Sequence, residues 1–436
     1  MPTFIIKIQK KYLYLLKNMK NTKLIIEKSK LRGKIKLSGA KNSALKLIAA
    51  SILTDGDITL TNSPNKLIDM KIHLEMLKKL GKKYKIKNDI LEIKKDREVE
   101  TELRWEGPSI RNTLLILGAL LTRKGRGKVP LPGGCSIGER KYDLHVMLLK
   151  KMGAKIWEKD GYIMGEAPMG LKGNEIILPI RSTGATENSI LAACLAKGRT
   201  TIWGPHVRPE IIDLITFLKS MGAKIQVRGQ ESIIIEGVRY LHGTKHRVIP
   251  DNIEAMTYLI AALVTNSEIE ILNFPYKNLE IPLIFLKESG ANFLKGENGL
   301  IVKRGECFPI EISTGPYPGI NSDMQPLFAA FAACAKGKSK IIDLRFPKRF
   351  NYIEEFKKLN VRAEVEKNIL TIEGKTEIKG GKVIARDLRC GAALVVLGLT
   401  GKKRTTIFNA EQIQRGYEKI EDKLSKIGAK IQRVDE

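Results

Sequence analysis

Pro130 to His145 reads PLPGGCSIGERKYDLH, and its cysteine is set among Pro132, Gly133, Gly134 and Gly138, with Arg140 five residues on. A structural cysteine packs inside an apolar element. Glycines instead let the backbone come close to a ligand and leave the thiol accessible, and a nearby guanidinium favours the thiolate. Cys135 therefore reads as a reactive thiol. The other cysteines, Cys194, Cys307, Cys334 and Cys390, lie far apart with no C-x-x-C spacing, which argues against a disulfide framework or a zinc cluster and fits a reducing compartment. Cys194, Cys334 and Cys390 fall in apolar runs and are expected to be inert. The five histidines show no metal-ligand spacing, and no Walker loop or dinucleotide fingerprint is present. No metal and no cofactor are expected.

A second set of residues suits anion binding. Lys41 and Asn42, Arg111, Ser182 to Gly184, Asp251, Asp323 and Arg389 lie just before or within the first turn of apolar segments. Arg140, Arg208, Arg345, Arg349 and Arg415 lie in loops after short strands. Helix N-termini carry partial positive charge and free N–H groups, and an arginine fork grips carboxylates and phosphates bidentately. If equivalent positions gather at one end of each domain, these groups converge on an anion-binding cleft. Arg208 and Asp251 are the members that read best as structural charges. Asp323, in NSDMQ, is open to two readings, a helix cap or a reacting carboxylate.

The elements that must carry these residues repeat. An amphipathic stretch ends in Gly81, Gly153, Gly222, Gly290, Asn360 and Gly428, separated by 72, 69, 68, 70 and 68 residues. Six copies of one unit of about 70 residues follow from that period, each helix closed by a left-handed Gly or Asn. Ahead of each lies a nearly all-apolar run such as LLILGALL or LFAAFAACA, which can only be a buried helix. A short strand, a loop, the amphipathic helix and a hairpin complete the unit. The expected architecture is α/β and inside-out, with buried helices in the middle, arranged as a two-domain barrel of three repeats each. The first domain should span 41–247 and the second 19–40 together with 248–436. Residues 1–18 hold four lysines and no acid; either Met19 is the start or they form a basic extension.

With 436 residues the chain exceeds what one core supports. Its formal charge of +29 fits either anionic substrates or nucleic acid. The lysines are dispersed, densest at TRKGRGK and TGKKRTT, without an aromatic-interleaved stripe, so no nucleic-acid partner is expected. Apolar runs of about ten residues are too short for a bilayer, and the N-terminal stretch is broken by lysines, so no membrane partner is expected and the cytoplasm is the expected location.

Taken together, LSGAKNSAL, LPGGCSIGER with DLH, STGATEN, PDNIEA, SDMQ, DLRCGAAL and RGYEKIEDKL resemble the UDP-N-acetylglucosamine 1-carboxyvinyltransferases, enolpyruvyl transferases of peptidoglycan synthesis. The likeness runs in order from about residue 22 to the C-terminus. It implies transfer of the enolpyruvyl group of phosphoenolpyruvate to the 3-hydroxyl of UDP-N-acetylglucosamine with release of phosphate, in an enzyme of two domains that close on these two substrates. By the same resemblance Cys135 is the general acid and Asp323 the base. Lys41 and Asn42 bind phosphoenolpyruvate, and Arg140, Arg349, Arg389 and Arg415 hold its anions. Arg111, Arg140, Asp143, Leu144, Ser182, Thr183, Gly184, Asp323 and Arg345 contact the UDP-sugar. The chain departs from the family pattern at Lys141, where a proline usually follows the arginine, at Tyr142, at Met256, at Gln414, and at Ile180 and Arg181. The alternatives are a transferase like 5-enolpyruvylshikimate-3-phosphate synthase, which lacks the cysteine loop, and a non-catalytic basic nucleic-acid-binding protein on the same scaffold.

Overall fold

The computed structural model describes residues 22–94, 98–133, 141–346, 349–375 and 377–435. They form two compact units. A contiguous unit takes the described residues of 39–249, and a split unit takes 22–38 and those from 250 onward.

In the contiguous unit the helices are α1 (Lys41–Ala50), α2 (Ile68–Lys79), α3 (Thr113–Lys124), α4 (Asp143–Lys151), α5 (Thr183–Ala193) and α6 (Pro209–Ser220). In the split unit they are α7 (Asn252–Val264), α8 (Glu280–Glu288), α9 (Gln325–Cys334), α10 (Ile353–Lys358), α11 (Leu388–Gly398) and α12 (Ile420–Ser425). Helices α3, α5, α7, α9 and α11 are buried over nearly their whole length, because a side chain with no solvated face must pack on every side. Close packing of α3 on α5 depends on Gly118: a Cβ there would lie 2.0 Å from Asn188 Oδ1.

Six small sheets are present among the described residues, three in each unit. Each centres on the strand after a buried helix, paired antiparallel on one side and parallel on the other. Arg199–Trp203, for instance, runs antiparallel to Ser232–Glu236 and parallel to Glu175–Ile177. Glu268–Leu272 runs antiparallel to Gly299–Val302 and parallel to Arg32–Lys36. In the sheet of Arg126–Pro130 the parallel partner shrinks to one bridge, Glu102 to Lys128. The sheet of Thr405–Phe408 takes as antiparallel partner the first strand among the described residues, Thr22–Glu27, which also pairs with the last of them, Lys430–Asp435.

Gly81, Gly153, Gly222, Gly290, Asn360 and Gly428 have φ of 93°, 97°, 101°, 82°, 76° and 95°. Each closes its helix with two backbone bonds. At α2 the N–H of Gly81 reaches the Lys78 carbonyl and that of Lys82 the Leu77 carbonyl, both at 3.0 Å.

The chain leaves the split unit after Ser38 and returns to it at Pro250. On the contiguous side the Ala40 N–H donates to Ile249 O at 2.7 Å; on the split side the Asp251 N–H donates to Ser38 O at 3.0 Å. Gly39 can carry no side chain, since a Cβ would lie 1.8 Å from the Asn62 carbonyl oxygen.

Candidate active site

Asp323 lies in a 3-10 turn, Ser322–Met324, directly before α9. The sequence allows it to cap that helix start, but among the described residues no side chain caps α9, and the turn before it is capped by Asn321, whose side chain accepts the Asp323 N–H at 3.0 Å. The Asp323 carboxylate turns to two buried arginines. Arg349 Nη2 donates to Oδ1 at 2.8 Å, and Arg389 Nη2 and Nε approach Oδ2 at 3.3 and 3.4 Å. Burial opposes the charge on Arg389, but Asp323, with Tyr417 and Asp251, outweighs it and raises its proton affinity. The guanidinium also lies 5.7 Å from the centre of the Tyr417 ring. Arg389 is the second residue of α11, whose cap Asp387 accepts from the N–H groups of Arg389 and Cys390.

Arg345 is exposed, and its guanidinium sits 5.7 Å from the Phe346 ring, with that of Arg349 5.9 Å away on the same ring. Arg415 ends the turn Ala410–Arg415 and donates to Gln412 Oε1 at 3.4 Å. The next residue, Gly416, packs on Leu388, where a Cβ would lie 2.4 Å from Cδ1, and that Cβ would stand within ordinary contact of Arg389, 3.5 Å from its Nη1. The split unit therefore brings Asp323, Arg349 and Arg389 into contact, joins Arg345 to them through Phe346, and sets the glycine after Arg415 against Arg389.

In the contiguous unit, Lys41 opens α1 and pairs with Asp69 of α2 at 2.7 Å, both side chains buried. Asn42 follows it, half-buried. Ser182 caps α5 by accepting from the Ala185 N–H, and Thr183 Oγ1 lies 2.8 Å from His206 Nδ1. Gly184 leaves space for a neighbour: a Cβ there would meet His145 Nε2 at 3.0 Å. His145 bonds to Asn188 at 3.1 Å and is pushed down to about 3 by burial, then by Arg111 and Lys46, so it is a neutral structural group. Arg111 Nη2 donates to the Lys141 carbonyl at 2.7 Å, tying down the chain just ahead of α4. Asp143 begins that helix exposed, and Leu144 packs on the core. Ser109 Oγ donates to Leu131 O at 2.7 Å and accepts the Gly133 N–H at 3.1 Å. Cys135 and Arg140 lie outside the described residues.

A model of the EPSP synthase (3-phosphoshikimate 1-carboxyvinyltransferase) family matches residues 25–424. UDP-N-acetylglucosamine 1-carboxyvinyltransferase 1 of Carboxydothermus hydrogenoformans is 42% identical over 407 residues, covering 93% of this chain and 96% of that protein. The chain belongs to the enolpyruvyl transferase family. UDP-N-acetylglucosamine 1-carboxyvinyltransferase of Nitratiruptor is 40% identical over 415 residues, 93% of this chain and 97% of its own. The enolpyruvyl transferase NikO from Streptomyces tendae superimposes with a TM-score of 0.86 at 23% identity over 96% of this chain and 100% of that one. EPSP synthase from Acinetobacter baumannii gives 0.73 at 19%, over 95% and 100%. These two establish the mixed α/β fold.

In this transferase two acids escaped the sequence reading. Asp69, the partner of Lys41, could have been found as an acid on the buried face of an amphipathic helix. Asp343, fully buried at the end of the strand Lys338–Asp343, could have been found as an acid closing an apolar strand. The transferase also sets half-buried Lys46 against Asn112 at 3.0 Å and Glu187 at 3.6 Å, and burial pushes Glu187 up to about 7. Arg208 forks onto Glu210 at 2.6 and 2.9 Å, and Asp251 caps α7, the structural roles expected of both. Burial pushes Cys194, Cys334 and Cys390 up to about 12 and Cys307 to about 11, which disfavours their thiolate forms. Among the described residues no group of three or more His, Cys, Asp and Glu could hold a metal, and no helix is long and apolar enough to cross a membrane.

Proposed function

We propose that the protein transfers the enolpyruvyl group of phosphoenolpyruvate to the 3-hydroxyl of UDP-N-acetylglucosamine, releasing phosphate, as the first committed step of peptidoglycan precursor synthesis in the cytoplasm. One observation carries this reading: Asp323, released from capping by Asn321, is held by the buried guanidiniums of Arg349 and Arg389. Those forks suit the carboxylate and phosphate of phosphoenolpyruvate. Donor binding competes with Asp323 for them, so the carboxylate gains basicity when the donor is in place. Asp323 then takes the proton of the sugar hydroxyl as its oxygen bonds to C2 of the donor, and Cys135 supplies a proton to C3. Loss of a proton from the new methyl group expels phosphate and restores the double bond. Lys41, held by Asp69, and Asn42 join Arg140 and Arg415 in binding the donor. Arg111, Arg140, Asp143, Leu144, Ser182, Thr183, Gly184 and Arg345 contact the UDP-sugar.

The scaffold in this reading is an inside-out α/β barrel of two domains, 41–247 and 19–40 with 248–436, each of three repeats. The six left-handed helix ends and the shared antiparallel-plus-parallel pairing of the sheets support it. Phosphate release from phosphoenolpyruvate tests the function. Release with UDP-N-acetylglucosamine and none with shikimate 3-phosphate is expected; the reverse would assign the chain to the shikimate reaction, and release with neither would remove the enzyme reading.

A further inference from the structure

Asp343 is fully buried, and its carboxylate is bonded from three directions. From the loop that follows, the N–H groups of Arg345 and Phe346 donate to Oδ1 at 2.9 and 2.8 Å. From the turn before α9, the Ser322 hydroxyl reaches both oxygens at 3.0 Å and Gln325 Nε2 donates to Oδ2 at 3.1 Å. Thr314 Oγ1, on the neighbouring strand, adds a bond at 2.9 Å. Among the described residues no lysine or arginine forms an ion pair with it, so hydroxyl, amide and backbone donors carry the charge.

Such a carboxylate is costly to bury unless every donor stands in place, so it fixes their positions relative to one another. A mere loop cap would need only the two backbone N–H groups. Here the donors include Ser322 and Gln325, which bracket Asp323 in sequence, while the backbone donors belong to Arg345 and its neighbour.

We propose that Asp343 is a positioning residue that locks the turn bearing Asp323 to the loop bearing Arg345, setting the distance between the base and a contact of the sugar nucleotide. This rests on the functional reading above for the roles of those two residues, though the coupling itself does not.

Asp343→Asn keeps the shape and puts an amide donor against Ser322 and Gln325. Ser322→Ala removes the hydroxyl bonds on the Asp323 side, leaving only Gln325 there, and leaves the Arg345 side intact. In the full-length protein, Asp343→Asn should lower kcat roughly tenfold per active site, as expected for a displaced reacting group, and raise KM for the UDP-sugar severalfold. Ser322→Ala should lower kcat with little change in that KM. Amide hydrogen exchange without substrate should speed up around both Asp323 and Arg345 in Asp343→Asn, but around Asp323 alone in Ser322→Ala. Values of kcat and KM within twofold of the unsubstituted enzyme would overturn the proposal, and Ser322→Ala decides it if Asp343→Asn does not fold. Should the unsubstituted protein turn over neither acceptor, the functional reading fails. Exchange then decides the coupling, which falls if Asp343→Asn loosens only the Arg345 side.

Discussion

Asp323→Asn keeps the volume of a side chain that two buried arginines grip and removes the charge they grip. If the carboxylate takes the sugar proton, steady-state phosphate release should fall by roughly 10² to 10⁴. Alkylation of Cys135 needs no sugar proton and should persist in the same preparation; near-normal turnover would take Asp323 out of the mechanism. Mass spectrometry after thiol alkylation should find Cys135 modified before Cys194, Cys334 and Cys390, whose buried thiols lie near 12. Earlier modification of a helix cysteine would refute the assignment. The motifs in the sequence pointed to Asp323 and Lys41 directly. Asp69 and the pairings themselves were hidden because the contacts are tertiary: Lys41 meets Asp69 across two helices, and Arg389, though named, reaches Asp323 from another helix altogether. The choice between capping and chemistry at Asp323 was equally unreadable, since Asn321, two residues earlier, could cap as well as it could.

Among the elements, the left-handed helix ends were the most legible feature, because a positive φ favours Gly or Asn, and those two residues mark the sequence at each recurrence. Gly222→Ala, at φ 101°, should lose about 1–2 kcal/mol and a few degrees of thermal midpoint. Asn360→Gly, at φ 76°, should be neutral or slightly stabilising in the same melts. Equal effects at both sites would show that strain does not govern these ends. The sheets were less legible. Hairpins announce themselves locally, but the partner of Thr405–Phe408 is the strand Thr22–Glu27, and no local pattern encodes a pairing across nearly the whole chain.

For the molecule as a whole, acid sensitivity should arise in the contiguous unit. His73 is fully buried with both ring nitrogens unpartnered among the described residues, and burial, with Lys46 adding, pushes it down to about 3 from an ordinary 6.5. The unfolded chain then takes up a proton that the folded one refuses. The stability linked to His73 is complete above pH 6.5 and is lost as pH falls from there toward 3. His73→Leu should flatten the decline of stability between pH 6.5 and 4.5 by about one proton, measured by chemical denaturation at each pH; an unchanged slope would mean that the ring is protonated in the folded protein. Because among the described residues 39–249 draws no strand from outside itself, that fragment should unfold cooperatively on its own, whereas a chain lacking 22–36 should lose the split unit's structure, as seen by circular dichroism and proteolysis. The pairing of Thr22 with Asp435 also imposes an order on biosynthesis. The contiguous unit can emerge from the ribosome and fold while the strand Thr22–Glu27 is still without either neighbour. At typical elongation rates that strand waits roughly 20 to 80 s for Thr405–Phe408, its backbone edge open throughout. The nascent chain thus needs a chaperone or a slow-aggregating edge most during the second half of its own translation.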